Sequence, residues 1–148
     1  MAFHFTLEAV LRLWKSRERF ERLRLEALTA KIWRLRREIE GVERASKEDR
    51  RSVATLLSEG MTASQLQFAS LCADGHRQFR ILLEKQVSDL MKEHGAQSRI
   101  FEHARRQREI FESVRDRKLE VYRAAEARES QEQMDELFLA RRMSTQSE

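Results

Sequence analysis

The chain has 148 residues, of which 36% are charged, with a net charge of +4, no proline and four glycines. Together with a mean hydropathy of −0.69, this composition argues against a compact domain with a large buried core and favours long helices with a narrow apolar stripe. Because the strongest helix breaker is missing, helices much longer than three or four turns are possible. We therefore expect an all-α protein that forms one elongated domain over residues 1–148.

The compartment can be predicted from cysteine use and hydropathy. Cys72 is the only cysteine, so no intrachain disulfide can form and a reducing compartment is expected. The N-terminal sequence lacks the basic and continuous apolar regions of a signal peptide. No apolar run approaches the ~20 residues that a spanning helix needs. We expect a cytosolic protein with no direct membrane insertion.

A heptad pattern begins at Leu7. Alternate steps of four and three residues meet an apolar side chain at nine of eleven positions, with charged residues on both borders. A pattern sustained over five repeats predicts a coiled coil, and its seam needs a partner helix. The nine predicted seam residues are Leu7, Leu11, Trp14, Leu25, Leu28, Ile32, Leu35, Ile39 and Val42. The other two positions hold Glu18 and Glu21, where either the pairing stripe rotates or a second apolar face meets another protein.

A reversal is predicted at residues 59–62, between a first helix over about 5–58 and a second over about 63–141. Thr6 is a candidate cap for the first helix. Gly60 suits the left-handed position that ends a helix, and Thr62 with Gln65 has the spacing of a capping box for the next one. A short loop between long helices predicts an antiparallel coiled-coil hairpin with a longer C-terminal helix.

The second helix shows a less regular seam, with consecutive four-residue steps that resemble a stutter. The predicted positions are Phe68, Cys72, Gly75, Phe79, Leu83, Gln86, Leu90, Glu93, Gln97, Ile100, Ala104, Gln107, Phe111 and Val114. Reflection about the turn places Leu7 opposite residue 115, which leaves about 25 residues, or ~40 Å, of unpaired helix. We expect a partner from another chain to cover this segment.

The sequence offers little chemistry. The four histidines lack metal-ligand spacing, and no phosphate loop, nucleophile motif or carboxylate pair is evident. We expect no enzyme, no cofactor and no metal.

Residues 12–37 hold ten Lys and Arg against three Glu, which predicts either a polarised partner surface or a solvated helix face. Glutamates interrupt the arginines, so we expect no nucleic acid. Phe20, Leu23 and Trp33 lie off the seam, as edge packing or as protein contacts.

Three short motifs resemble the FliJ family of flagellar type III export chaperones. The start, with Phe5, Leu7, Val10, Leu11 and Leu13 followed by Glu18, is similar to the N-terminus of that family. Gly60 followed by Phe68 and Leu71 is similar to its turn region. The run Glu132-Gln133-Met134-Asp135-Glu136-Leu137, with Ala140 and Arg141 beyond, resembles its closing motif. The combination covers nearly the whole chain.

The resemblance implies a non-enzymatic stalk with three partners: the hexameric flagellar export ATPase, the cytoplasmic domain of the export gate, and export chaperones. It implies a cytoplasmic protein at the inner face of the membrane, at the flagellar base. The turn region would contact the gate through Phe68, Leu71 and Phe79. The end with both termini would enter the ATPase ring, with contacts from Leu11, Arg12, Arg17, Arg19, Phe20, Arg22, Met134, Asp135, Glu136, Leu137 and Phe138. The alternatives are a passive coiled-coil scaffold and a stalk of another secretion or rotary ATPase.

Overall fold

Two long helices make up nearly all of the described part of the chain. The computed structural model describes residues 3–145, with side chains through residue 142. Helix α1 spans Glu8–Glu59 and α2 spans Ala63–Thr145; the two pack against each other, and the described range contains no strand. This confirms the all-α prediction. The contacts divide the chain into a terminal unit, Met1–Glu18 with His103–Glu148, and a turn unit, Arg19–Glu102. The single elongated domain stays a prediction.

Helix α1 begins three residues after its predicted start. The Leu7 carbonyl accepts the N–H of Leu11 at 3.0 Å, and the Phe5 carbonyl accepts that of Glu8 at 3.1 Å. Leu7 therefore takes the cap position that was predicted for Thr6. Glu8 lies in the first turn, where its charge is favourable next to the helix dipole. At the other end of the chain, α2 continues four residues past the predicted Arg141.

The reversal depends on Gly60 and on a capping box. Gly60 has a φ of 102°, a backbone conformation that L side chains rarely adopt. The backbone N–H of Thr62 donates to Oε1 of Gln65 at 3.0 Å, and the N–H of Gln65 donates to the Thr62 hydroxyl at 3.3 Å. These two bonds satisfy donors that the start of α2 would otherwise leave open. The predicted capping box is therefore present.

The α1 seam continues through both glutamates. Leu11 and Ile32 are 0% and 8% exposed, and the other seven apolar seam residues are half-buried. Glu18 and Glu21 are 6% and 5% exposed on the same line. Their burial shows that the pairing stripe does not rotate at these positions. Polar groups on α2 contact the two carboxylates, which makes their burial possible.

The α2 seam departs from the predicted register at several positions. Burial follows steps of three and four residues with one seven-residue interval, from His76 to Leu83; however that interval is divided, two four-residue steps follow each other, which is the spacing of a stutter. The inward positions are Ala69, Cys72, His76, Leu83, Val87, Leu90, His94, Gln97, Phe101 and Ala104. The predicted seam residues Phe68, Gly75, Phe79, Gln86, Glu93 and Ile100 are exposed instead. Two of the inward positions are histidines that meet polar side chains of α1, and a search for apolar positions passes over them.

Candidate partner-binding surfaces

A charged cluster around the buried Glu18 joins the helices of the terminal unit. Nε of Arg108 lies 2.5 Å from Oε2 of Glu18, and a terminal nitrogen of Arg108 contacts Glu112. Lys15 Nζ lies 3.1 Å from Oε1 of Glu112. The contact between Arg108 and Glu18 is an ion pair. Two cations and two carboxylates give a cluster with no net charge, which lowers the cost of burying Glu18.

The cluster shifts the pKa of two of its members. Burial acts to raise the pKa of Glu112, but Lys15 and Arg108 outweigh it, so the pKa lies below its ordinary value of 4.5. Burial also acts to lower the pKa of Arg108, but Glu18 and Glu112 outweigh it and raise the pKa. The charged forms of both side chains are therefore the stable ones in the folded protein.

Polar contacts also hold the seam of the turn unit. Nε2 of Gln97 donates to Oε2 of Glu21 at 2.5 Å and to the Glu21 carbonyl at 3.3 Å. Nε2 of His94 lies 3.2 Å from the Thr29 hydroxyl. Such pairs fix the register of two helices more strictly than apolar contacts do.

The N-terminal segment packs against α2 in the terminal unit. Phe5 is 3% exposed, and Lys118 Nζ lies 5.7 Å from the centre of its ring. The rings of Phe3 and Tyr122 are 5.6 Å apart, between centroids. This packing anchors the first residues of the chain close to the point where α2 becomes exposed.

Beyond Tyr122 lies the C-terminal extension, which we define as residues 123–142 of α2. Every residue in it is exposed. Met134, Leu137 and Phe138 are 70%, 63% and 65% exposed. An apolar group of this size on an exposed helix is typical of a surface that another protein covers.

The residues that were predicted to contact an ATPase ring differ in burial and belong to two different units of the structure. Leu11 is completely buried, so it belongs to the seam and is not available to a partner. Arg12 and Arg17 are exposed in the terminal unit, where Arg12 pairs with Glu8 at 3.6 Å and Arg17 lies 5.6 Å from the Trp14 ring centre. The extension with Met134, Asp135, Glu136, Leu137 and Phe138 belongs to the same unit.

Arg19, Phe20 and Arg22 belong to the turn unit. The guanidinium of Arg22 lies 5.8 Å from the Phe101 ring centre, and that of Arg24 lies 5.7 Å from the Phe20 ring centre. Phe20 is 58% exposed. The ring is therefore not packed into the seam, and one of its faces carries a cation.

Phe68, Leu71 and Phe79 were predicted to contact an export gate, and all three are exposed. Their exposed fractions are 68%, 66% and 48%. Phe68 also lines an open groove with Val53, Leu56 and other residues near the turn. These three side chains therefore present apolar surface on the first turns of α2.

A second apolar stripe follows the outer face of α1. We define the outer stripe as Phe20, Leu23, Ala27 and Ala30, which recur at steps of three and four residues. All four are exposed. In the heptad set by the seam they occupy two of the three positions that face away from α2. The outer stripe is therefore available to another helix.

Comparison with known families decides which proteins this chain resembles. The family model described as "Flagellar FliJ protein" matches residues 3–148. The chain belongs to the FliJ family. No curated protein and no solved structure matches it. FliJ membership makes this a coiled-coil protein of the flagellar export system and supports the prediction that it is not an enzyme.

The part of this FliJ protein that the structure describes shows neither a membrane-spanning helix nor a metal site. Within residues 3–145, no helix is both long and apolar enough to cross a membrane. In the same range, no group of three or more His, Cys, Asp or Glu side chains is arranged to hold a metal ion. His76 instead contacts Asp49, and the His103 ring lies 5.8 Å from that of Trp14.

Sequence reasoning missed the seam partners of this FliJ protein. Arg108, His94 and Phe101 were not among the predicted seam residues, yet each faces α1. One signal could have found Arg108: reflection about Gly60 places Glu18 opposite a run of arginines near residue 105. A buried carboxylate needs a cation or several donors, so an arginine at that height was the natural partner.

Proposed function

We propose that this chain is the stalk of the flagellar export ATPase and couples the hexameric ring to the export gate and to export chaperones. FliJ membership supports a place in flagellar export in general. The observation that carries the finer proposal is the C-terminal extension, which displays Met134, Leu137 and Phe138 at exposed fractions of 63–70%. The proposal includes a peripheral location at the inner face of the membrane.

The ring contact would use apolar anchors and basic steering groups. Leu137 and Phe138 would lose water on entering the ring, and a few such side chains dominate the affinity of most interfaces. Arg12 and Arg17, in the same unit, would draw the protein toward an acidic pore and accelerate encounter more than they strengthen the final complex. Arg19, Phe20 and Arg22 of the turn unit stay predicted contacts of the ring.

The packing of the terminal unit would support the extension. Leu11, Phe5 and Ala104 are 0–3% exposed, and the Lys15–Glu112–Arg108–Glu18 cluster bridges the two helices. A stalk transmits a force only if its two helices keep their register. The buried Glu18 opposes slippage, because a shift would leave its charge unpaired.

The gate contact is proposed for the first turns of α2. Phe68, Leu71 and Phe79 present apolar side chains there, at exposed fractions between 48% and 68%. Their spacing of three and eight residues puts them on neighbouring parts of one helix face. A shallow apolar groove on the gate domain would cover them.

The ring contact can be tested with purified full-length protein and its cognate export ATPase. Leu137→Gln with Phe138→Gln removes the two anchors and keeps good helix formers in place. We expect this variant to lose most of the ATPase stimulation that the wild type gives. Ile110→Gln is the matched control, because Ile110 is also an exposed apolar residue of α2 in the terminal unit. The control should stimulate as the wild type does.

Circular dichroism melting would show whether both variants stay folded, which the exposure of the substituted side chains predicts. Wild-type stimulation by the Leu137 and Phe138 double variant would contradict the assignment of the extension to the ring. A wild-type protein that neither binds nor stimulates the ATPase would favour the passive scaffold instead.

A further inference from the structure

Positive charge in the turn unit is concentrated on one stretch of α1. Residues 19–37 hold seven Lys and Arg against two Glu, whereas residues 38–59 hold four against six acidic residues and residues 63–102 of α2 hold five against five. One of the two glutamates of the first stretch, Glu21, is buried in the seam. The exposed surface of residues 19–37 is therefore strongly basic, and the rest of the unit carries no positive excess.

Cations and large apolar side chains share the outward side of this stretch. In the heptad set by the seam, three positions in seven point away from α2. We define the basic face as those positions within residues 19–37. Its cations and large apolar residues are Arg19, Phe20, Leu23, Trp33, Arg34 and Arg37. All six are exposed, with exposed fractions of 58% for Leu23 and 59% for Trp33. Glu26 is the one carboxylate of this face.

The chain itself does not neutralise the cations of the basic face. Within the part of the chain that the structure describes, no ion pair joins Arg19, Arg34 or Arg37 to a carboxylate. Cations of α2 in the same unit differ in this respect: Arg77, for example, pairs with Asp74 at 3.3 Å. Three positive charges without a counter-charge beside exposed apolar groups are complementary to an anionic partner.

The arrangement of the basic face favours a flat anionic surface over a helix. The outer stripe would suit another helix only over residues 20–30, because Arg34 and Arg37 take the next two places of the same pattern and would put charges into a helix–helix seam. At the surface of a bilayer, in contrast, arginine reaches phosphate groups while tryptophan and leucine contact the upper acyl chains. Residues 19–37 span ~27 Å of helix, so their cations would meet several headgroups at once.

We propose that the basic face binds the surface of a bilayer that contains anionic phospholipids, with residues 19–37 of α1 lying along the headgroups. Arg19, Arg34 and Arg37 would contact lipid phosphates. The ring of Trp33 would lie at the level of the headgroups, where tryptophan is enriched in membrane proteins. No segment crosses the bilayer in this arrangement.

The inference would give a physical cause for the peripheral location proposed above, but it does not rest on that proposal. Binding to vesicles is measured with neither the ATPase nor the gate present. The substitutions below also leave out Arg19 and Phe20, which are predicted contacts of the ring. Loss of vesicle binding and loss of ATPase stimulation are therefore separate results.

The first test is flotation of full-length protein with vesicles of two compositions. One is phosphatidylcholine with about one third phosphatidylglycerol, which gives a negative surface potential, and the other is phosphatidylcholine alone. We expect the protein to float with the anionic vesicles and to stay behind with the zwitterionic ones. Binding should weaken as salt shortens the Debye length below about 10 Å.

The charges of the basic face are tested by Arg34→Gln with Arg37→Gln. This variant should bind anionic vesicles about 25-fold more weakly, because each basic residue near such a surface contributes about fivefold. Lys85→Gln with Lys92→Gln is the matched control, since it removes the same charge from exposed positions of α2 in the same unit. The control should bind as the wild type does.

The position of Trp33 is tested by its fluorescence. Emission of the wild type should shift to shorter wavelengths when anionic vesicles are added. Trp33→Phe should still bind but lose the shift, because the remaining Trp14 is half-buried in the terminal unit. Trp33→Gln should weaken binding by about tenfold. Its matched control is Ile81→Gln, with the same exposed fraction of 59% in the same unit, and this control should bind normally.

Three results would overturn the inference, provided that circular dichroism shows each protein to be folded. The first is a wild-type protein that does not bind anionic vesicles, which would leave the basic face to an acidic protein. The second is binding that the Arg34 and Arg37 variant retains, or that its α2 control loses to the same extent. The third is vesicle binding without any change in the emission of Trp33.

Discussion

Two stretches of the interhelical seam are held together in different ways. In the inner stretch, residues 11–32 of α1, both apolar and charged side chains are buried: Leu11, Glu18, Glu21 and Ile32 are 0–8% exposed. In the turn-side stretch, residues 43–82, every residue is described and none is buried. The helices meet there through surface ion pairs, such as Glu43 with Arg80 at 3.2 Å.

The difference shows that burial, more than the number of ion pairs, decides what holds the helices in register. An exposed pair gains little because water solvates and screens both charges. A buried pair is costly to break because one charge stays behind without a partner. The turn-side stretch carries the proposed gate residues Phe68, Leu71 and Phe79, and its weak packing lets it adjust to a partner. The inner stretch instead keeps a fixed register.

The largest expected effect compares one apolar seam residue from each stretch. Ile32→Ala should lower the free energy of unfolding by about 2–4 kcal/mol, because Ile32 is 8% exposed and a cavity would remain. Val53→Ala should cost less than about 1 kcal/mol, because Val53 is only half-buried among exposed neighbours. Thermal or urea unfolding measures both. Equal losses would remove the distinction between the two stretches.

A somewhat smaller effect is expected from the charged cluster around the buried Glu18. Arg108→Met should destabilise the protein by about 2–3 kcal/mol, since it leaves Glu18 and Glu112 without a shared cation. The double variant Glu18→Leu with Arg108→Met should recover much of this loss, because no buried charge then lacks its partner. Arg105→Met is the control: its exposed pair with Glu109 contributes less than about 1 kcal/mol. A loss at Arg105 as large as at Arg108 would contradict the burial argument.

Much of the fold could be predicted because its signals are local or strictly periodic. The α1 pattern indicated one face of a helix over five heptads. The turn was readable because Gly60 alone suits a positive φ there and Thr62 with Gln65 has the spacing of a capping box. Reflection of residue numbers about that turn predicted approximately which residues of α1 and α2 lie opposite each other. The exposed extension of α2 was therefore also expected.

The α2 register could be predicted only in part, because it depends on pairs of residues that are far apart in the sequence. Gln97 was predicted in the seam, where it donates to Glu21, but His94 was not, because its inward position depends on a contact with the Thr29 hydroxyl of α1. Apolar residues such as Phe68 and Ile100 face outward, where a count of apolar positions would not place them. The candidate surfaces were found in part: the extension and the residues after the turn were predicted, whereas Leu11 proved to be buried.

The smallest expected effect is a pH dependence that belongs to the charged cluster around Glu18. The pKa of Glu112 is lowered in the folded protein from its ordinary value of 4.5, because Lys15 and Arg108 outweigh the effect of burial. Folding therefore favours the ionised form. The resulting stability is fully present above about pH 4.5 and is lost as the pH falls through the folded-state pKa.

Glu112→Gln would isolate this contribution. Glutamine cannot ionise, so the variant should be less stable than the wild type at pH 7, and the gap should narrow as the pH falls below about 4.5. Glu43→Gln is the turn-side counterpart, because the Glu43 side chain is 39% exposed, against 27% for Glu112, and pairs with Arg80 across the helices. Water screens that pair, so this variant should differ little from the wild type at any pH. Urea unfolding between about pH 3 and pH 7 measures both. A gap at Glu112 that stays constant with pH would mean that packing, and not the ionised carboxylate, is what the substitution removes.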